Sequence, residues 1–539
     1  YRQTQGIPLL VVELARALRE NAGGEDPRGL AGILAGRYGE LSEPQKELLD
    51  ALSVFEEGAT QEDLGALLGG DALERARVAE SLLRKGLTEE GLEEGEGCPV
   101  LRFHHQRIRE YVYEAMPAFK RQELHRRAAE RLEGICGPQN WNPSLSARLF
   151  RHFARSGQGE KELALHLREM RLHIILNHEL FPLLPDGVLL SCSTPFSDRP
   201  DTEQKLDQVR ELLHRLNRAQ PGSSRTASLE ASYLELRGGY LIAWGAYKEG
   251  RHFLDRSLRL ARREGLGPVQ LRCLQHLCYH GLQTDQPGLL IPHGREMLRL
   301  ARELGRDASV GAALRFLGVA RQLEGDFDGA VRIFQRSIEV FRGLEEVGNP
   351  HTLGELAAEN YIGEVLHWSG RLPEALERFE ACVDRCEEKG LFWGCSLFHS
   401  NAASVALDLG DPEGAARHVE RATELFERCQ GGRSGSMLYS LKALMEGKAG
   451  HHAEALTALE RGELLCAPIR KKSWSSVHLL AKALLGERME RDPRAREAWG
   501  GVLTRPARDY AREAASLFDA LGARLRAASL RERFGLDRD

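Results

Sequence analysis

Gly245-Ala246-Tyr247, Gly325-Asp326-Phe327, Gly370-Arg371-Leu372, Gly410-Asp411-Pro412 and Gly450-His451-His452 are five versions of one turn, and their spacing decides the fold. The first gap is 80 residues and the next three are 45, 40 and 40, so the first reads as two periods with a degenerate copy near Asp285 between them. The five extra residues fall at the Gly348-Asn349-Pro350 break. Seven residues before each turn glycine stand Gly238, Gly318, Gly363, Ala403 and Ala443; five residues after it stand Gly250, Ala330, Ala375, Ala415 and Ala455. Small residues at those offsets let the two helices of a hairpin approach closely. Leu254, Phe334, Phe379, Val419 and Leu459, four positions further on, are the large groups that fill the groove between neighbouring hairpins. One such unit cannot bury its apolar face alone, so successive units must stack into an α-solenoid. Asp509–Phe534 reads as a closing helix pair.

This layout resembles the tetratricopeptide repeat, in a form of about 40 residues rather than the usual ~34. In such a superhelix the first helix of each pair builds the inner wall, and positions separated by four and three residues share one face. Those positions are Arg315, Val319 and Gln322; Asn360, Glu364 and His367; Ser400, Ser404 and Leu407; and Ser440 and Leu444. Hydrogen-bonding residues there suggest a groove for a small-molecule inducer or a protein partner. A solvated helix face has the same composition.

Composition agrees with an all-α chain. Of 539 residues 42% are hydrophobic, 28% charged and only 6% aromatic, and β-branched residues are too sparse for a large sheet. Only 12 of the 74 basic residues are lysine, but the arginines alternate with Glu and Asp and the net charge is −5, so they read as solvated helix faces rather than a nucleic-acid groove. The ten cysteines form no CxxC pair, and Cys382 with Cys386, four apart on one helix face, has no second pair to complete a metal site. No metal is expected. Nothing in the composition calls for a signal segment or a membrane helix, and reduced thiols fit a cytoplasmic setting. The chain opens on Tyr1 without a methionine and reads as a piece of something longer.

The N-terminal third has a different grammar. Ser42 precedes a helix with Pro44 in its first turn, Thr60 precedes Gln61–Leu68, and Asp71 opens a third helix running to Lys85. Gly86-Leu87-Thr88, an acidic turn over Glu89–Gly97 and Val100-Leu101-Arg102-Phe103 then make two short strands. Three helices followed by a β-hairpin compose a winged helix with a small β wing. Helices Gln106–Met116 and Ala118–Glu133 follow, separated by Pro117. Residues 1–40 are assigned to the end of an upstream module, 41–138 to the winged helix, 139–227 to a helical linker and 228–539 to the repeats.

Thr4-Gln5-Gly6-Ile7-Pro8-Leu9-Leu10 resembles the G-x-P-L segment that ends the nucleotide-binding module of STAND-class ATPases, which include the maltose-regulator-like and antibiotic-regulator-like bacterial transcription factors. Leu101-Arg102-Phe103-His104-His105-Gln106-Arg107-Ile108-Arg109-Glu110-Tyr111-Val112-Tyr113 looks like that family's RF-x-H-D-x-I-R-E-x-V-Y stretch. The resemblance implies that Gly6 and Pro8 lie near the adenine of ADP or ATP and that His105 approaches its phosphates. It implies that the winged helix is an intramolecular clamp on the ADP-bound off state, released when the repeats bind an inducer or partner, with self-association following. Gln106 stands where relatives carry Asp, which departs from the family's switch contact.

Catalytic signatures are missing from the chain. No G-x-x-x-x-G-K-[ST] loop is present, His178-Glu179 lacks the second histidine of a zinc-protease helix, and Gly432-Arg433-Ser434-Gly435 misses the register of a nucleophile elbow. The chain alone is therefore expected to be neither an enzyme nor a cofactor carrier, with ATPase chemistry and any DNA-reading domain upstream. Neither nucleic acid nor membrane is an expected partner of this segment. Two other readings share the pattern: a tetratricopeptide-type scaffold without a nucleotide switch, and the sensory tail of a cyclase or kinase fusion.

Overall fold

A computed structural model describes residues 29–92, 97–135, 143–178, 181–191, 199–392, 394–428, 435–467 and 471–536. The chain divides into two units at Leu165 and His166. The division falls inside the stretch read as a linker: helix Pro143–Ser156 belongs to the first unit, whereas Asp186–Ser191 and Arg199–Ala219 belong to the second.

In the first unit three successive helices start where a polar side chain satisfies a free amide. Gln45 Oε1 accepts from the Ser42 amide at 3.1 Å, closing a capping box on helix Glu43–Ser53. Thr60 and Asp63 bond each other's amides reciprocally at 3.1 and 3.2 Å, and Asp71 accepts from Glu74 at 3.1 Å. Each cap is worth about 1 kcal/mol. Helices Glu43–Ser53, Gln61–Leu68 and Ala72–Arg84 bury Leu48, Leu49, Leu52, Leu67 and Leu82 together. Three antiparallel strands follow the order β1 (Ala59–Thr60), β3 (Pro99–Phe103), β2 (Thr88–Leu92), with Thr88 opposite Phe103 and Ala59 opposite Leu101. Strand β2 thus extends through the first half of the acidic turn, and the two-residue β1 adds an edge that periodicity cannot announce.

Helices Ala118–Ile135 and Pro143–Ser156 are joined by a buried histidine pair. His125 Nδ1 lies 2.8 Å from His152 Nδ1, and Tyr113 Oη lies 3.0 Å from His125 Nε2. Two ring nitrogens can share a hydrogen only if one ring is neutral. Burial, reinforced by Arg155, Arg121 and Arg151, lowers His125 to about 4; burial, then His125 and neighbouring arginines, lowers His152 to about 3.

The second unit stacks helical hairpins. Six pairs run Ser224–Ala243 with Tyr247–Arg263, Gly267–Gln283 with Pro287–Glu303, Asp307–Leu323 with Phe327–Glu346, Thr352–Trp368 with Leu372–Glu388, Cys395–Leu409 with Pro412–Arg428, and Gly435–Ala449 with His452–Cys466. Lys472–Arg491, the short Pro493–Trp499, Ala507–Ala520 and Arg524–Phe534 complete it. The small-residue register has a direct steric meaning. A Cβ at Gly238 would stand 2.7 Å from Leu254 Cγ, at Gly318 2.5 Å from Phe334 Cε1, and at Gly363 2.6 Å from Phe379 Cε1. The degenerate copy is the second hairpin, whose turn residue Asp285 adopts φ 48°, alone among described non-glycine residues in that region. Cys382 and Cys386 are buried core groups with free thiols. Among the described residues no helix is long and apolar enough to cross a membrane.

Replacing Gly363 by Leu should cost about 1–3 kcal/mol by overpacking against Phe379, whereas Gly343→Ala, in open space on helix Phe327–Glu346, should be neutral or slightly stabilising; chemical denaturation midpoints check both. The histidine pair sets a pH dependence. Its folded pKa values lie below the ordinary imidazole value, so the unfolded chain binds more protons as pH falls, and stability present at pH 7 is lost between about pH 6.5 and the folded values near 3–4. The urea midpoint of the first unit should therefore fall over that range, and His152→Asn should flatten the fall.

Candidate functional site

Most of the predicted inner-wall positions are buried, with Glu364 and Leu407 half-buried, and several of their partners come from far along the chain. Asn360, fully buried, donates from Nδ2 to Glu364 Oε1 at 3.1 Å and accepts from Asn401 Nδ2 at 2.8 Å through Oδ1. Gln322 lies beside Glu364, and the Lys471 ammonium faces Tyr361, Glu364 and Asp285. Asp285 Oδ2 accepts from the Lys472 amide at 2.6 Å across a separation of 187 residues. Burial pushes the Glu364 carboxyl up and Asp285 adds to the push, which Lys471, Asn360 and Gln322 offset only in part. Burial likewise raises Asp285. Burial works against the Lys471 charge, but Tyr361, Glu364 and Asp285 outweigh it and hold this lysine above its ordinary value. Asp285, Glu364, Lys471, Asn360, Asn401 and Gln322 thus make one polar cluster, with Asn360 fully buried and Glu364 and Lys471 half-buried.

The remaining predicted wall residues fall into separate contacts. The Arg315 guanidinium lies 5.8 Å from the centroids of both Phe181 and Phe316 and donates to Gly354 O at 3.4 Å. His367 Nε2 lies 2.7 Å from Asp408 Oδ2, whose other partner is Arg526 Nε at 3.0 Å; Arg526 also donates to Ser404 Oγ at 3.3 Å. Ser400 Oγ turns back to Ser396 O at 2.7 Å, and Ser440 Oγ lies 2.9 Å from His478 Nδ1. Sequence reading missed Asp285, Asp408, Lys471 and Arg526 as members of this interior. Only Asp285 left a signal, as the odd turn in the register.

A second filler is the stretch Phe181–Ser191. Phe181 stacks on Phe398 at 5.6 Å. Asp186 caps helix Thr352–Trp368 from outside it, accepting from the Thr352 amide at 2.8 Å and from its hydroxyl at 2.5 Å. His351, at that helix's own cap position, makes no side-chain cap bond.

A cleft of about 410 Å³ in the first unit is lined among others by Phe55, Glu56, Arg102, Phe103, Gln106 and Arg109. His105 stands at the N-cap of helix Gln106–Ala115, half-buried, its ring 4.4 Å from that of His104. Burial first, then His104, lowers its pKa. His104 is itself anchored to Glu89 at 2.8 Å, and Gln106 donates to Glu110 at 3.0 Å. Gly6 and Pro8 lie outside the described residues. Among the described residues no group of three or more His, Cys, Asp or Glu side chains could hold a metal ion.

Asp186→Ala should lower the stability of the second unit by about 1–2 kcal/mol, because it frees the helix cap and leaves the buried Thr352 amide without its acceptor; thermal unfolding and amide exchange at residues 352–356 check this.

No protein-family model matches the chain, and no curated protein matches it. Solved structures do. One is a Signal Transduction ATPase with Numerous Domains (STAND) protein with a tetratricopeptide repeat sensor from Pyrococcus horikoshii, similar over 100% of this chain and 68% of that one, at 14% identity and a TM-score of 0.51. Looser likenesses are to NprR in complex with its cognate peptide NprX (14% identity, 62% of this chain and 88% of that one, TM-score 0.43) and to aspartyl phosphate phosphatase F from Bacillus subtilis (11% identity, 78% and 90%, TM-score 0.40). The fold is thus a helical solenoid of tetratricopeptide type, accompanied by a small sheet.

Proposed function

We propose that this chain is the clamp and sensor portion of an ATP-dependent STAND-type signalling regulator, transcriptional in its output. The observation that carries the reading is the fold likeness, spanning the whole chain, to a STAND ATPase with a repeat sensor. In this reading the first unit is a winged helix that holds the ADP-bound off state through His105 and, from the preceding segment, Gly6 and Pro8. The repeats receive an inducer or protein partner, and binding there loosens the clamp so that ADP exchanges and the protein self-associates. That is coupling of two sites through a two-state element. Nucleotide and its chemistry belong upstream in the whole protein, and this chain works as a non-enzymatic regulator in the cytoplasm.

A scaffold without a nucleotide switch is the second reading. The observation favouring it is Gln106, which occupies the place of the family's Asp and spends its amide on Glu110.

The test is retention of labelled ADP by the full-length protein. Pro8→Ala and His105→Ala should each speed release by about tenfold, the worth of one contact of ~1.4 kcal/mol. Unchanged retention in both variants rejects the site assignment and leaves the scaffold.

A further inference from the structure

We propose that Cys395 and Cys386 are a peroxide-responsive thiol pair at the joint between the fourth and fifth hairpins: a hydroperoxide oxidises Cys395, and Cys386 resolves it to a disulfide that resets the start of the wall helix Cys395–Leu409. Neither thiol belongs to the nucleotide contacts or to the polar cluster of the wall.

Cys386 lies in the last turn of helix Leu372–Glu388, and Cys395 is the first residue of helix Cys395–Leu409. The two thiols hydrogen-bond each other. The connection between them is tied by its main chain to both: Leu391 N donates to Cys386 O at 2.9 Å, and Cys395 N donates to Phe392 O at 3.3 Å. Gly390 and Gly394 take φ of 67° and 75°, a region open to glycine, and so fold the chain back within a few residues. Both cysteines are buried in one apolar cluster with Leu391 and Phe398. Cys382, one turn before Cys386, turns away from the pair and donates from Sγ to Leu356 O at 3.9 Å.

The two sulfurs are unequal. The hydrogen bond from Cys386 holds Cys395 below the ordinary thiol range against the opposing effect of burial, and His399, one turn further on, adds to the hold. A place at the start of a helix also favours a thiolate. Cys386 is pushed up by its bond to Cys395 and by burial, and burial pushes Cys382 up to about 12. His399 is set in turn by His418, Nδ1 to Nδ1 at 3.0 Å, with Glu387 at 4.0 Å from His399 Nε2 and Glu380 at 3.6 Å from His418 Nε2. Cys395 is therefore the nucleophile, and Cys386 keeps its proton for the second step.

Attack of the Cys395 thiolate on hydrogen peroxide forms an S–O bond and breaks the O–O bond. The sulfur is oxidised by two electrons to a sulfenic acid, and the leaving hydroxide takes up the proton that Cys395 had shed. The Cys386 sulfur then attacks the sulfenic sulfur: the S–S bond forms, the S–O bond breaks, and hydroxide departs with the Cys386 proton as water. Two thiols and one peroxide become one disulfide and two waters. An S–S bond of about 2.05 Å is shorter than the contact of two hydrogen-bonded sulfurs, so closure draws the first turn of helix Cys395–Leu409 toward Cys386. That helix carries Asn401, which donates to Asn360, and Ser404, which accepts from Arg526. Oxidation is thereby felt on the inner wall.

The test treats the intact, unsubstituted chain with hydrogen peroxide, blocks remaining thiols with N-ethylmaleimide and maps disulfides by peptide mass. A bond between residues 386 and 395, reversed by dithiothreitol, is expected, with Cys382 still a thiol. Amide exchange should change over residues 395–404 on oxidation and stay unchanged over residues 43–53. Cys386→Ser should leave a dimedone adduct on Cys395, and His399→Gln should slow oxidation about tenfold as the thiolate fraction falls. Thiols at 386 and 395 that remain unpaired in the folded chain would overturn the proposal. So would oxidation that appears only in urea, or that strikes Cys382 as fast as Cys395, since either marks the reactivity of an unfolded chain.

Discussion

The second unit depends on one steric fact: at fixed offsets around five of its hairpin turns, side chains are small enough for the two helices to approach closely. Where Gly238, Gly318 and Gly363 face Leu254, Phe334 and Phe379, any added carbon would collide, so the helices meet with one partner bare and the other large. Interiors packed to crystal density transmit such a constraint from pair to pair. Each hairpin is then rotated by a small, repeated amount against the last, and the curvature of the superhelix follows. Within this stack the second hairpin's turn meets the beginning of helix Lys472–Arg491, where Asp285 accepts from the Lys472 amide.

The fold was legible because its signals are local or periodic. Ser42, Thr60 and Asp71 act on amides three residues away, and the glycine–alanine register repeats often enough to be counted. Turn chemistry even exposed the second hairpin through Asp285, a non-glycine residue standing where its counterparts are glycine. Strand β1 escaped because two residues carry no periodicity, and the acidic turn concealed the continuation of β2 because its alternation is charged on both faces.

The interior was legible only by halves. Helix geometry identified the wall residues Arg315, Gln322, Asn360, Glu364, His367, Ser400, Ser404 and Ser440, but the same rule says nothing about what stands opposite them. Their counterparts arrive from a turn, a linker and a closing helix: Arg526 lies 122 residues from Ser404, and Asp186 lies 166 from Thr352. No single-sequence pattern encodes contacts of that span. Polar residues facing one another out of water also behave unlike the same residues on an open groove. Glu364 and Asp285 are held toward neutrality, while Asp408 is kept charged by the Arg526 guanidinium and its hydrogen bond with His367, a ring that burial pushes toward its neutral form.

The bond between Asp285 and Lys472 changes how such an array comes apart. A linear stack of repeats melts from its ends inward, each unit answering only to its neighbours. A stack tied from its second hairpin to the helix after its sixth has fewer free ends to fray. Its loop entropy is surrendered once, in a single closure over 187 residues, and is recovered only when that tie is broken. The four complete hairpins within the tie, from Asp307–Leu323 through His452–Cys466, are consequently coupled: loss of order in any of them is resisted at both ends of the loop that the tie closes.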